Sequence, residues 1–345
     1  MKRYHLIINS LITLLVFSCN SDEVVCDDLL DTPQAVCDNS LLIMRSEALT
    51  GAEQTFFLDS IQKPVNIPLV FNNIHNEEQA SFFNTFTRPS NYDAYNSENN
   101  TYFIEFPFEQ RLFKYDIDIQ NRTEFIVSGY YSAPVFLNGV LYTIIIDNFG
   151  YATDPANFEI RTIDQNSGGL NSILASDSFT LLSRFDWESM SSTSNKIDEV
   201  YFISGTNLIA YNTVLQTAEH TELVPDFDLA TNYQRYYGLE MRDNGNLLTI
   251  RERDNDEGQG LELIELNINN LGDTPLVIFD FTLNGIEINP EFYSSSYDAC
   301  DDKYYITSRD INNANTTNFY ELNLANSTYV SENFDYYLMG IHSKN

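Results

Sequence analysis

Positive charge is scarce in this sequence: 18 Lys and Arg residues stand against 50 Asp and Glu residues, for a formal net charge of −32. So negative a surface repels phosphate backbones, which argues against nucleic acid as a partner and favours cations or cationic partners. Tryptophan occurs once, whereas Tyr (22) and Phe (24) are plentiful, a balance that suits β-strands. Beyond the N-terminal region no run approaches the roughly 18 apolar residues of a membrane-spanning helix. These features predict a soluble, β-rich body.

Motifs for catalysis are missing as well. The sequence contains no Gly-x-Ser-x-Gly, His-Glu-x-x-His, Walker loop or paired-Cys motif, so nucleophilic catalysis has no support. His75, His220 and His342 are far apart in sequence. A metal or acid–base site would need at least two of them brought together by the fold. Taken singly, each is interpreted as an ordinary surface or strand residue.

The N-terminus has the features of an export signal. Residues 1–18 combine a basic start with an apolar stretch too short to span a membrane, which is typical of a signal peptide. Val16–Cys19 (VFSC) resembles a bacterial lipobox, and Asn20–Glu23 (NSDE) resembles the signal that sends Bacteroidota lipoproteins to the outer face of the outer membrane. The resemblance implies lipidation of Cys19 and a surface-exposed outer-membrane lipoprotein. A periplasm-facing location and an ordinary acidic linker are the alternatives.

Lipidation of Cys19 leaves three cysteines. Cys26 and Cys37 bracket a short segment, and in an oxidising compartment they could pair and staple the tether, residues 19–39, to the following domain. Such a short loop contributes about 2–3 kcal/mol in the chain-entropy model. Metal binding is the alternative. Cys300 is interpreted as a small buried strand residue.

A repeated unit organises the rest of the chain. Within Tyr236–Phe281, four short apolar or alternating runs are separated by Gly, Asn and Asp turn signals. This pattern predicts an antiparallel meander the size of one β-propeller blade. Comparable units recur about every 50 residues, and their third strands are predicted to begin near Thr55, Arg111, Asn157, Asn207, Gly260 and Asn318.

The ends of the repeat predict how the ring closes. The first unit begins at Leu41 with its second strand, whereas Tyr336–Ser343 follows the last unit and resembles the beginning of the others. This C-terminal strand is expected to join the first blade as its innermost strand, because closure removes free sheet edges. We therefore predict an all-β propeller over residues 40–345 with six four-stranded blades. Seven blades remain open, since residues 72–100 are long enough for further strands.

The chain lacks WD40, kelch and Asp-box repeats. Its strands YYGLEMRDNGNLLTI and FYELNL resemble those of six-bladed NHL or TolB-type propellers. The resemblance implies a fold that hosts both binding and catalysis.

Aromatic residues recur where the innermost strands are predicted to begin, at one mouth of the axial channel. Stacking on a sugar or another planar ligand is the functional interpretation, and packing between blades is the alternative. The positions concerned are Tyr131, Tyr237, Tyr293 and Tyr337, with Asp93, Glu240 and Asp298 as a predicted acidic lining further along the strands.

One loop could hold calcium. Asp254, Asp256 and Glu257 lie on a Gly-flanked loop and could supply oxygen ligands to Ca²⁺. Their spacing misses the EF-hand pattern, and a solvated hairpin tip is the alternative.

Taken together, the sequence predicts a lipid-anchored extracytoplasmic propeller that serves as a binding or scaffold module for a glycan, a peptide or an outer-membrane partner. A hydrolase or lyase using carboxylates and Tyr at the axial mouth is one alternative, and two carboxylates within about 5–10 Å would favour glycoside chemistry. A structural surface or adhesion protein is the other, and a flat face without a pocket would favour it.

Overall fold

The computed structural model describes residues 37–38, 40–47, 55–76, 92–106, 110–127, 131–146, 156–179, 189–225, 231–255, 258–313 and 316–344, all of them within the compact unit Cys37–Asn345. In these residues the regular structure is 24 β-strands without a helix.

The strands are, in chain order, β1 (Ser40–Glu47), β2 (Thr55–Gln62), β3 (Phe71–Asn76), β4 (Asp93–Asn96), β5 (Thr101–Phe106), β6 (Arg111–Asp116), β7 (Asn121–Ile126), β8 (Ser132–Leu137), β9 (Val140–Ile146), β10 (Ala156–Ile163), β11 (Ala175–Phe179), β12 (Ser191–Ser194), β13 (Glu199–Ser204), β14 (Asn207–Asn212), β15 (Thr217–Glu222), β16 (Asn232–Met241), β17 (Leu247–Asn255), β18 (Gly258–Leu266), β19 (Leu276–Asp280), β20 (Tyr293–Asp298), β21 (Lys303–Arg309), β22 (Thr317–Asn323), β23 (Thr328–Phe334) and β24 (Tyr337–Ser343).

The strands pair into six antiparallel four-stranded sheets, which are the blades of a propeller. Blade 1 has the order β24-β1-β2-β3, and blades 2 to 6 are β4–β7, β8–β11, β12–β15, β16–β19 and β20–β23. The innermost strands contact one another in the cyclic order β24, β4, β8, β12, β16, β20 and back to β24. The predicted six-bladed propeller is confirmed. So is its closure by the C-terminal strand, which pairs with β1 in the register Leu41↔Ser343 and Ile43↔Ile341.

Burial explains the sequence pattern of the blades. The middle strands are covered by neighbouring blades on both faces, so β13 is almost wholly buried, whereas the outermost strand β23 is mostly exposed. Apolar clusters lie between adjacent blades; one of them joins Leu263 and Phe281 of blade 5 to Tyr304 and Leu322 of blade 6. Each large side chain buried in this way stabilises the fold by about 1.5–3 kcal/mol.

The seam between blades 6 and 1 is fastened by more than the closing strand. A disulfide joins Cys37, just before β1, to Cys300 in the turn after β20, with the Cα atoms 6.0 Å apart. Lys63 Nζ lies 2.6 Å from Asp298 Oδ2 in a buried ion pair. The predicted Cys26–Cys37 disulfide is therefore wrong, and Cys300 is a turn residue rather than a buried strand residue. Closure of the ring brings Cys37 to blade 6, so proximity in sequence was misleading; Cys26 lies outside the described residues.

Candidate functional site

A cavity of about 590 Å³ lies on the propeller axis. All six innermost strands contribute to its wall, together with the turns that follow β4, β8, β12, β16 and β20. The cavity therefore lies toward the ends of these strands rather than their beginnings. Its main lining segments are residues 93–98, 134–139, 191–197, 239–243, 294–297 and 342–343.

The innermost strands are of two kinds that alternate around the axis. In β8, β16 and β24 the pairing register shifts along the strand, which is the signature of a β-bulge, whereas β4, β12 and β20 pair without a shift. Ala133 and Gly238, at two of the bulges, have φ values of 47° and 66°. A bulge turns the following side chains to new directions. The cavity wall thus repeats every second blade.

Serine and threonine hydroxyls connect neighbouring innermost strands. They lie on β12 and β20 and accept backbone N–H groups of the bulged strands β16 and β24. The bonds run from Leu239 N to Ser191 Oγ (2.9 Å), Met241 N to Thr193 Oγ1 (3.0 Å), Ile341 N to Ser294 Oγ (3.0 Å) and Ser343 N to Ser296 Oγ (2.8 Å). Sequence reasoning missed these residues, although the runs SSTS and SSS carry the signal. They give the cavity a hydroxyl-rich wall.

Asp93 holds the last strand against blade 2. Its side chain is 4% exposed, and its Oδ2 accepts the Tyr102 hydroxyl at 2.8 Å and lies 2.7 Å from His342 Nε2. Burial and the Asp93 charge raise the pKa of Tyr102, so the phenol stays a donor. A Cβ on Gly340 would lie 1.8 Å from Asp93 Oδ2. Glycine is therefore required where the two strands approach.

Glu240 is a second acidic group in the cavity wall. Burial raises its pKa to about 8, and the Asp93 charge adds to the rise, while the Tyr297 N–H, the Lys196 charge and the Ser295 hydroxyl oppose it. The carboxyl group is consequently protonated for the most part at neutral pH. Because the Asp93 charge acts on Glu240, the two acids share one electrostatic environment although they come from blades 2 and 5.

Asn96 and Arg242 also line the cavity. Asn96 is 2% exposed, and its Nδ2 is buried without a hydrogen-bond partner, a costly state unless a ligand or water completes it. Arg242 is already satisfied: its guanidinium contacts Glu265 at 2.5 Å and Asp302 at 2.9 Å. Asn96 Nδ2 is therefore an unpaired donor that is buried in this wall.

The predicted acidic lining is present in part. Asp93 and Glu240 line the cavity, but Asp298 does not. Its carboxylate is fully buried in the pair with Lys63 and accepts the Cys300 N–H at 3.1 Å. Asp298 therefore belongs to the seam between blades 6 and 1.

The four tyrosines that were predicted to stack on a ligand pack within the protein instead. Tyr131, Tyr237 and Tyr293 are at most 1% exposed, and Tyr337 packs against an apolar cluster. The rings of Tyr237 and Tyr293 lie 5.0 Å apart. The Tyr131 hydroxyl donates to the Gly168 carbonyl. None of the four lines the cavity. Tyr131, Tyr293 and Tyr337 lie at the beginnings of innermost strands and Tyr237 lies before the Gly238 bulge, whereas the cavity lies toward the other ends. Tyr95 and Tyr297 are the tyrosines in its wall.

The predicted calcium loop lies mostly outside the described residues, which include Asp254 but neither Asp256 nor Glu257. Asp254 is exposed near the end of β17. Across the part of the chain that the structure describes, no group of three or more His, Cys, Asp or Glu residues could hold a metal ion. Nor does that part contain a helix long and apolar enough to cross a bilayer.

The strand pairing and the cavity define a class: a six-bladed β-propeller with a hydroxyl-rich axial cavity. No protein-family model matches the chain, and no curated protein matches it. Among solved structures it is similar to the luciferin-regenerating enzyme (10% identity, TM-score 0.44, covering 69% of this chain and 74% of that one). It is also similar to regucalcin, a calcium-binding protein of Agrobacterium tumefaciens (10%, 0.42, 69% and 71%), and to a Lactobacillus plantarum protein (9%, 0.44, 88% and 98%). At these scores the matches carry no weight for function.

Proposed function

We propose that this chain is a lipid-anchored, extracytoplasmic propeller that binds a polyhydroxylated ligand, a glycan, in its axial cavity. The observation that supports the ligand class is the cavity wall. A volume of about 590 Å³ falls in the usual range for small-molecule sites. The wall combines hydroxyls, the unpaired Nδ2 of Asn96 and the side chains of Tyr95 and Tyr297. Such groups hydrogen-bond sugar hydroxyls and stack on sugar rings.

Two features support the proposed cellular location. The N-terminal segment resembles a lipoprotein signal with Cys19 as the lipidated residue, which would anchor the chain in the outer membrane. The Cys37–Cys300 disulfide supports an oxidising compartment outside the cytoplasm. Exposure on the cell surface is part of the proposal, and a periplasm-facing position is its alternative.

The cavity wall also bears on the choice between ligand binding and the other proposed functions. A purely structural surface protein has no need of a polar axial cavity, so the wall favours ligand binding over that alternative. A peptide or an outer-membrane partner stays the alternative ligand, because the wall also contains apolar side chains, among them Phe136, Leu239 and Met241.

The test is affinity electrophoresis of the purified protein in gels that contain neutral or acidic polysaccharides. We expect retardation by at least one glycan, reduced at least tenfold in affinity by Asn96→Ala. The matched control is Asn121→Ala, which alters an exposed amide on the outermost strand of the same blade, outside the cavity, and should bind as the wild type does. Unretarded migration in every polysaccharide would contradict the proposal.

A further inference from the structure

Two titratable side chains in the cavity wall have no role in simple binding. His342 comes from blade 1 and Glu240 from blade 5, and both line the cavity. The His342 side chain is 21% exposed, although Asp93 holds it. A binding site needs neither an oriented imidazole nor a buried carboxyl group facing it.

The contact between Asp93 and His342 has the geometry of an oriented base. Asp93 Oδ2 lies 2.7 Å from Nε2 of the imidazole, so the neutral ring carries its proton on Nε2 and keeps a lone pair on Nδ1. The buried carboxylate also stabilises the imidazolium that forms when Nδ1 takes a proton. The Tyr102 hydroxyl, 2.8 Å from the same oxygen, fixes the carboxylate.

Glu240 has the properties of the complementary acid. The Tyr297 N–H and the Ser295 hydroxyl donate to its carboxyl group, so the group is held in place. It keeps its proton at neutral pH, as described above, and can give it to an oxygen that gains negative charge. A carboxyl group whose pKa is raised by burial and that stays protonated is a typical general acid in enzymes. The charged or titratable groups facing the pair include Asp93, Lys196, Tyr102 and Tyr304.

We propose that the cavity hydrolyses a glycosidic bond of the glycan it binds, with His342 as general base and Glu240 as general acid; this inference rests on the proposed function. Asp93 is a positioning residue and not the nucleophile. Its Oδ2 already contacts Tyr102 and His342, and its side chain is 4% exposed. Without a covalent intermediate on a carboxylate, water attacks the sugar directly and the anomeric configuration is inverted.

The step balances with water as the co-reactant. His342 Nδ1 takes one proton from a water molecule as its oxygen bonds to the anomeric carbon. The bond from that carbon to the leaving oxygen breaks, and the leaving oxygen keeps the electron pair and takes the proton of Glu240. Two sugar products remain, with an imidazolium beside Asp93 and a carboxylate at Glu240. One proton passing from His342 to Glu240 through water in the cavity restores the starting state.

The experiment measures binding and cleavage on the same polysaccharides. Wild type, His342→Gln and Glu240→Gln are first compared by affinity electrophoresis and circular dichroism, where we expect similar retardation and the same folded-state spectrum. Release of reducing ends is then measured, and the anomer of the first product is read by proton NMR. We expect each variant to lose 100-fold or more of the wild-type rate. Asp93→Asn should lower kcat and leave KM unchanged.

The controls change matching residues outside the cavity. His220→Gln alters a histidine on the outermost strand of blade 4, and Glu105→Gln alters another buried glutamate whose pKa burial raises; both should keep the wild-type rate. If a glycan binds but the wild type releases no more reducing ends from it than His342→Gln does, the inference is overturned and the proposed function stands. Binding of no glycan would overturn both. A product of retained configuration would overturn the assignment of His342 as the base.

Discussion

Replacing Glu240 by glutamine should make the stability of the propeller less sensitive to alkali. Burial raises the pKa of Glu240 from 4.5 to about 8, so between these values the folded protein binds a proton that the unfolded chain releases. The free energy of unfolding therefore falls as the pH rises through this window, and this contribution is lost above about pH 8. Glutamine does not ionise, and its carbonyl can still accept the bonds from Tyr297 and Ser295.

The expected change in the free energy of unfolding follows from the size of the Glu240 pKa shift. One pKa unit corresponds to about 1.4 kcal/mol, which sets an upper bound of about 5 kcal/mol for Glu240. Its side chain is partly exposed to the cavity, where water screens the charge, so we expect about 2–4 kcal/mol. Relative to the wild type, Glu240→Gln should gain this amount of stability between pH 5 and pH 8.5.

Urea unfolding followed by circular dichroism at pH 5 and pH 8.5, at constant ionic strength, measures the difference. Glu98→Gln is the control, because it removes the same charge from an exposed turn on the cavity rim and so reports the general effect of lower net charge. If both variants shift stability equally at both pH values, Glu240 does not carry a proton into the folded state and the reasoning is refuted.

Three further substitutions test the seam and the axis. Cys300→Ser should lower the free energy of unfolding by up to about 5 kcal/mol in non-reducing urea titrations, since the disulfide spans a sequence separation of 263 residues and long loops gain most in the chain-entropy model; Cys26→Ser should not change it. Lys63→Met should cost about 3–5 kcal/mol in the same assay, because it leaves Asp298 buried without its cation, and equal stability would contradict the pairing. Gly340→Ala should lower the thermal unfolding temperature by several degrees, because its Cβ would overlap Asp93; an unchanged value would contradict the close approach of the two strands.

The sequence was sufficient for the propeller because each blade carries its own local signal. Turn residues and alternating apolar residues recur in six units, and the extra strand Tyr336–Ser343 was recognisable because it resembles the beginnings of other units. Each of the six predicted third strands corresponds to an observed one, from β2 to β22. Local patterns are reliable here because pairing within a blade joins strands adjacent in sequence.

Local sequence patterns were not sufficient to predict which residues form the cavity wall. Tyr237 and Tyr293 stand at the expected ends of the innermost strands, yet the Gly238 bulge and contacts between blades turn their rings into the packing. The cavity wall instead uses serines such as Ser191 and Ser294, and the runs SSTS and SSS that contain them show their role only once the fold places them on neighbouring innermost strands. The partner of Cys37 was equally hidden, because only ring closure brings it to Cys300.

The Cys37–Cys300 disulfide also closes the ring covalently. It joins the residue just before β1 of blade 1 to the turn after β20 of blade 6, so this bond and the backbone between residues 37 and 300 form one covalent loop that runs through five blades and into the sixth. The pairing of β24 with β1 can then open transiently without separating blades 6 and 1. Ala299 in the same turn lines the cavity, so the covalent loop also keeps this part of the cavity wall in place while the seam opens.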